Sequence, residues 1–235
     1  ICLKVTKLKS KQMDGQSENR KKIIDRYMEK VHGKIPDTSG FEEKHDGKEG
    51  HWLEVEMGIE PNGVNDADLF DHEMKNQTTS KTSYGDWSPD YWIFRDEQYD
   101  TFKSLEKSQR RDRFMEIFGQ PRPDGKEGHS WSGKPIPKIN QVNEFGVDSI
   151  IDADKNIIFR YFFSKDTREN KNEQVPVELQ QEGIVIARWD ADSIKEKIEN
   201  KFNKMGWYKC TKGKNGAYES IVFGEPMDRD AWFGH

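Results

Sequence analysis

Between Asn65 and Lys75 the chain gathers Asp68, Glu73 and Lys75 into one short stretch. Read as a strand, Glu73 and Lys75 are two positions apart and point to the same face, while Met74 points the other way, toward a core. Asp68 precedes Glu73 by five positions, close enough to sit on the preceding turn or strand and converge on the same point. Two carboxylates at one point repel each other unless a hard cation holds them. Mg²⁺ does so with one or two carboxylates and leaves positions for water and phosphate oxygens. A lysine alongside can orient or deprotonate the attacking water and offset charge in a pentavalent transition state. Phosphodiester cleavage needs that set of groups. The bland alternative is a solvated edge strand with an ordinary salt bridge, since Glu-x-Lys arises by chance in a chain whose residues are 34% charged.

Several elements would have to position these side chains. Ile23, Ile24, Tyr27, Met28 and Val31 recur at helical spacing over Lys21–Val31, and a Gly/Pro/Asp stretch from Gly33 to Gly40 ends the pattern. A second helix is expected over Gly50–Gly58, then a short strand-like stretch from Ala67 to Thr78. Thr101–Phe118 returns to helical spacing. Gln120–Lys138, with four Pro and three Gly, reads as loop. Val147–Ile151 and Ile157–Phe163 flank a hairpin signature at Asp152–Asn156. Gly183–Trp189 reads as a buried strand. Asp190 or Asp192 then caps a helix carrying Ile194, Ile198, Phe202 and Met205, which Gly206 stops. Tyr218–Phe223 is a further strand. The first twenty residues show little structure beyond a candidate strand at Leu3–Leu8. Strands mixed with helices imply an α+β or α/β core with a mixed central sheet.

The layout ahead of the carboxylates carries a resemblance. Gly47, Gly50, Leu53, Glu54 and Gly58 stand in the pattern Gly-x-x-Gly-x-x-Leu-Glu-x-x-x-Gly, followed by a polar connection, Asp68-Leu69 and Glu73-Met-Lys75. In this the chain resembles the MutH-like restriction endonucleases of the PD-(D/E)xK superfamily, most closely the MvaI/BcnI type, whose Asp-to-Glu spacing it matches better than MutH's. The resemblance is specific over 47–75 and looser over 147–205. It implies a restriction-endonuclease-like core with helices flanking the sheet, and a single nuclease domain over 1–235 with 84–140 as a candidate DNA-contacting insertion or lobe. It further implies a type II enzyme that cuts double-stranded DNA at a short sequence and leaves 5′-phosphate ends. Asp68 and Glu73 would bind Mg²⁺, with Mn²⁺ as substitute, and Lys75 would position the attacking water. Glu54 would be a further acidic residue near the metal, or simply a surface carboxylate. Lys81 falls where relatives carry another lysine. The chain departs from the family at Ala67, where the motif has Pro, and at His72, where an apolar residue is usual. The alternatives are a MutH-like nicking repair enzyme that depends on a partner and a non-catalytic DNA-binding module of the same fold.

Charge and composition neither select nor exclude this reading. The chain has 43 acidic and 38 basic residues, a net charge of −5, which excludes an all-basic surface but leaves room for local basic walls. Hydrophobic residues make up only 32%, so thirteen Phe, seven Trp and seven Tyr must supply much of the core. Arg110, Arg111 and Arg113 on a charged helix, and His129 in a Gly-rich loop, are candidates for DNA contact; a solvated face and a packed loop are their bland readings. The aromatic group Tyr84, Trp87, Tyr91 and Trp92 reads as packing rather than a base-stacking platform. Cys2 and Cys210 lack metal-ligand spacing and suggest no disulfide framework, which fits a reducing, cytoplasmic setting. No apolar run is long enough to span a membrane. The start without Met and the abrupt end lead to the expectation that terminal residues are missing. A monomer, with a cognate DNA methyltransferase as functional partner, completes the expectation.

Overall fold

The structure is a computed structural model that describes residues 10–40, 47–60, 65–77, 85, 87–122 and 126–234, with side chains from residue 15 onward. Its described residues fall into two compact units: one gathers those of 1–86 and 195–235, the other is Trp87–Ile194.

The first unit opens with α1 (Ser10–Lys30), whose Ile23 and Tyr27, with Val31 just past its end, repeat every fourth residue and are buried. Ile24 and Met28 stay exposed, because only one stripe of the helix is covered. The helix begins at Ser10, which corrects the expectation of little structure before Lys21. The exposed i,i+4 pair Glu18–Lys22, 2.7 Å, ties the polar early turns to the amphipathic part of the helix. Leu3–Leu8 lies outside the described residues. The expected helix at Gly50–Gly58 is α2 (Lys48–Met57), which buries Trp52, Leu53 and Met57. Gly58 ends it in the left-handed region, φ 69°, and its N–H returns to the Glu54 and Val55 carbonyls. The strand expected across Ala67–Thr78 shrinks to β1 (Glu73–Asn76).

The second unit contains β2 (Tyr91–Trp92), α3 (Asp100–Lys103), α4 (Lys107–Phe118), β3 (Gln120–Pro121), β4 (His129–Ser130), β5 (Phe145–Ile151), β6 (Ile157–Asp166), α5 (Lys171–Gln174) and β7 (Glu182–Trp189). The single helix expected over Thr101–Phe118 is split into α3 and α4. Glu106 and Gln109 form a reciprocal capping box that starts α4 afresh. The 120–138 loop is pinned by a two-residue ribbon, β3 against β4. The hairpin forms as expected: Asp152 Oδ1 accepts the N–H groups of Asp154 and Asn156, both at 2.9 Å, and joins β5 to β6. These strands make an all-antiparallel sheet in the order β2-β7-β6-β5. Trp92, Phe94, Phe114 and Trp131 interlock over one another with centroids 5.0–5.3 Å apart, so the expected aromatic packing is present at Trp92. Tyr91 bonds Asp96, the Trp87 carbonyl accepts from the Trp189 indole, and Tyr84 is outside the described residues. Beneath lies a buried polar knot. Asp166, 2% exposed, takes the Tyr161 hydroxyl at 2.9 Å and the Arg168 guanidinium at 2.6 Å.

The boundary back to the first unit falls within α6 (Ala191–Phe202), and β8 (Trp207–Lys212), β9 (Tyr218–Gly224) and α7 (Arg229–Phe233) follow. β8 is a strand that sequence periodicity missed. It is the centre of a mixed sheet, β1-β8-β9, pairing parallel with β1 and antiparallel with β9. Met74, Tyr208 and Cys210 face the core made by α1 and α2. Burial pushes the Cys210 thiol up to about 12, so it stays a protonated packing group. The molecule is thus α+β with a mixed sheet flanked by helices. Among the described residues no helix is long and apolar enough to cross a membrane.

Candidate active site

Alternation along β1 sends Met74 into the core and leaves Glu73 and Lys75 on the opposite face. Parallel pairing with β8 fixes that register: Glu73 stands beside Trp207, and its N–H donates to the Gly206 carbonyl at 3.0 Å. Gly206 has φ 95°, and a Cβ there would collide with the Gly224 carbonyl, so glycine is required for β8 to begin next to β1.

Asp68 reaches the site through a tight reversal. Leu69 and His72 exchange backbone hydrogen bonds at 3.0 and 2.9 Å, with Phe70 and Asp71 between them at φ 47° and 61°. Two consecutive left-handed residues define a two-residue turn of the kind that glycine and asparagine usually fill. The turn folds the chain back so that Asp68 Oδ2 accepts the Met74 N–H at 2.8 Å. His72 clamps it from inside: fully buried, its Nδ1 lies 2.9 Å from the Phe70 carbonyl, and burial lowers its pKa. Nδ1 thus meets a backbone carbonyl, as the reading of His72 expects, while Nε2 is buried with no hydrogen-bond partner among the described residues.

Glu73 is 2% exposed, and its Oε1 lies 2.7 Å from Lys75 Nζ. Lys201, on α6, approaches the same oxygen at 3.3 Å. Oε2 is buried without a hydrogen-bond partner among the described residues. Burial pushes the Glu73 carboxyl up to about 7, and Asp68 adds to the rise while Lys75 and Lys201 oppose it. Lys75 Nζ sits 5.2 Å from the centroid of the Phe202 ring, which excludes water from one side of the ammonium.

The structure thus brings Asp68, Glu73 and Lys75 together. Glu54, half-exposed on α2, has its carboxylate 3.4 Å from His51 Nδ1. No group of three or more His, Cys, Asp or Glu able to hold a metal occurs among the described residues, so a closed cage is absent there. The donors instead fit a cation content with one or two carboxylates and water. Glu73 Oε2, buried with no hydrogen-bond partner among the described residues, costs free energy unless a positive group meets it. Arg110 is spent inside the second unit on the Leu105 and Lys103 carbonyls and on Glu97, and Arg113 pairs with Glu116. Arg111 is exposed, and His129 lies in β4 opposite Pro121. Lys81 is outside the described residues. Sequence reasoning missed Lys201. Its only signal is that Lys197 and Lys201 border the apolar stripe of Ile194, Ile198 and Phe202.

Comparisons with known proteins show the family to which the chain belongs. The chain is 41% identical over 226 residues to the type II restriction enzyme ScrFI of Lactococcus lactis subsp. cremoris, a match spanning 91% of this chain and 83% of that enzyme. Its class is accordingly that of the type II restriction endonucleases, which are deoxyribonucleases. A family model described as LlaMI restriction endonuclease matches residues 5–235, and the chain belongs to that family. A solved complex of restriction endonuclease MvaI with its cognate DNA substrate is also similar, with a TM-score of 0.48, 13% identity and coverage of 88% of this chain and 74% of that one.

Proposed function

We propose that this restriction endonuclease hydrolyses double-stranded DNA at a short specific sequence in a Mg²⁺-dependent reaction, leaving 5′-phosphate and 3′-hydroxyl ends. Asp68 and Glu73 are the metal ligands, and Lys75 is the catalytic lysine. The observation that carries this reading is that Asp68 and Lys75 flank Glu73, whose Oε2 is buried with no hydrogen-bond partner among the described residues. Held by Asp68 and Glu73, a divalent ion would supply positive charge against the phosphate oxygens and acidify the attacking water.

The chain's own residues do the remaining work. The tight turn at Phe70–Asp71 holds Asp68 against β1, where its Oδ2 takes the Met74 N–H and its charge acts on Glu73. Lys75, on the same strand face, orients the attacking water and offsets charge as the phosphorus becomes five-coordinate. Phe202 beneath it keeps that ammonium partly desolvated, which strengthens its pull on an anion. Glu54 is a further acidic residue toward the metal from α2. The second unit, which includes most of 84–140, is a DNA-contacting lobe of one nuclease domain. Arg111 and His129 are its candidate contacts, with Arg110 and Arg113 available only if they leave their present partners, and Lys81 is a further candidate outside it. The enzyme acts as a cytoplasmic monomer beside a cognate DNA methyltransferase.

A plasmid digest tests the reading. Linear products with Mg²⁺ and none with EDTA support it. Nicked circles alone indicate a strand-nicking enzyme, and unchanged plasmid on every sequence tried, with tight DNA binding, indicates a non-catalytic module.

A further inference from the structure

Two ammonium groups crowd one oxygen of Glu73 while its other oxygen goes without. Lys75 Nζ and Lys201 Nζ lie 2.7 and 3.3 Å from Oε1, and Oε2 is buried with no hydrogen-bond partner among the described residues. Two cations around an isolated buried carboxylate would gain more by taking one oxygen each, because each oxygen would then be satisfied. The lopsided arrangement makes sense when a third positive centre belongs on Oε2.

The two lysines are not equivalent. Lys75 rides on the same strand as Glu73, two residues away, and would move with it. Lys201 reaches in from α6 and supplies a fixed point outside the strand, with its own side chain 23% exposed. Its neighbour Phe202 is fully buried and lies under the Lys75 ammonium, so one turn of α6 sets the position of both lysines.

We propose that Lys201 is a positioning residue of the cleavage site. By holding Glu73 Oε1 it fixes the plane of the carboxylate and keeps Oε2 turned toward a divalent cation. The proposal rests on the nuclease reading above and adds to it a residue outside the Asp68/Glu73/Lys75 set. Lys201 acts through Glu73 and needs no contact with DNA.

The test uses the full chain with Lys201→Met, which keeps the aliphatic stem, and Lys201→Arg, which keeps the charge. Calorimetric titration with Ca²⁺ alone reads cation binding without turnover, and cleavage at varied Mg²⁺ gives kcat and KM for DNA. Partners that orient metal ligands are typically worth about 10–100-fold in affinity or activity. K201M is therefore expected to weaken Ca²⁺ binding by about tenfold or more and to lower kcat at fixed Mg²⁺ by a similar factor. KM for DNA should stay within about twofold, and K201R should recover most of the cation affinity. Unchanged or tighter Ca²⁺ binding by K201M overturns the proposal. So does a raised KM with normal cation affinity, which would make Lys201 a phosphate contact. If the wild-type protein cuts in Mg²⁺ while K201M binds Ca²⁺ normally, this proposal alone fails. If the wild type neither binds Ca²⁺ nor cuts, the nuclease reading fails and takes this proposal with it.

Discussion

Glu73→Gln in the metal-free protein should change stability in a way that depends on pH. The Glu73 carboxyl titrates at about 7 in the folded protein, against 4.5 for an ordinary glutamate, chiefly because it is buried. The folded state therefore holds the proton more tightly than the unfolded chain does. The stability Glu73 contributes is complete below about pH 4.5, declines as pH rises, and is lost above about pH 7. At about 1.36 kcal/mol per pH unit, the interval between the two values corresponds to about 3 kcal/mol. Glutamine has nearly the same shape, keeps an acceptor for Lys75 and has no proton to lose. The difference in unfolding free energy between wild type and E73Q should thus move against the wild type by about 3 kcal/mol between pH 4.5 and pH 8. Urea denaturation in EDTA, followed by far-ultraviolet circular dichroism at several pH values, measures it. A difference that stays constant over that range would refute the reasoning, because Glu73 would then be ionised throughout.

Substitutions at three other positions probe separate parts of the structure. Lys75→Ala should lower kcat by about 10²–10³-fold, the usual loss for one group that stabilises transition-state charge, while DNA affinity in Ca²⁺ stays within a fewfold; initial-rate and binding assays check both. Phe70→Asn places a residue tolerant of the left-handed region where Phe now sits at φ 47°, and should stabilise the turn by about 1 kcal/mol, a rise in Tm of about 2–4 °C. Asp166→Ala strips the partner from partly buried Arg168 and buried Tyr161 and should cost about 3–5 kcal/mol in urea unfolding, with Asp166→Asn milder.

What the sequence disclosed depended on how local the physics was. The strand alternation that pairs Glu73 with Lys75 and turns Met74 inward is a two-residue period, visible in any window. The α2 helix announced itself through Gly58, whose left-handed cap only glycine adopts freely. The β5–β6 hairpin was written in Asp152 and Asn156, which bond each other within the turn. Non-local facts stayed hidden. β8 has mixed polar and apolar residues and becomes a strand because β1 and β9 pair with it on either side. The turn before Glu73 contains no glycine, so nothing in its composition signalled two left-handed residues at Phe70 and Asp71. Lys201 is 128 positions from Glu73 along the chain, and only the placement of α6 makes them neighbours. α1 ran longer than expected, starting at Ser10, because its first two turns are largely polar, and the exposed Glu18–Lys22 pair that joins them to the rest leaves no apolar signature.

The claim on which the rest depends is that one divalent ion belongs between Asp68 and Glu73. Crystals soaked in Mn²⁺ and measured at the manganese edge test it most directly. The expected result is an anomalous peak in contact with Glu73 Oε2 and the Asp68 carboxylate, with Lys75 alongside. A well-ordered ion elsewhere, with Glu73 Oε2 bonded to a protein group, would contradict it.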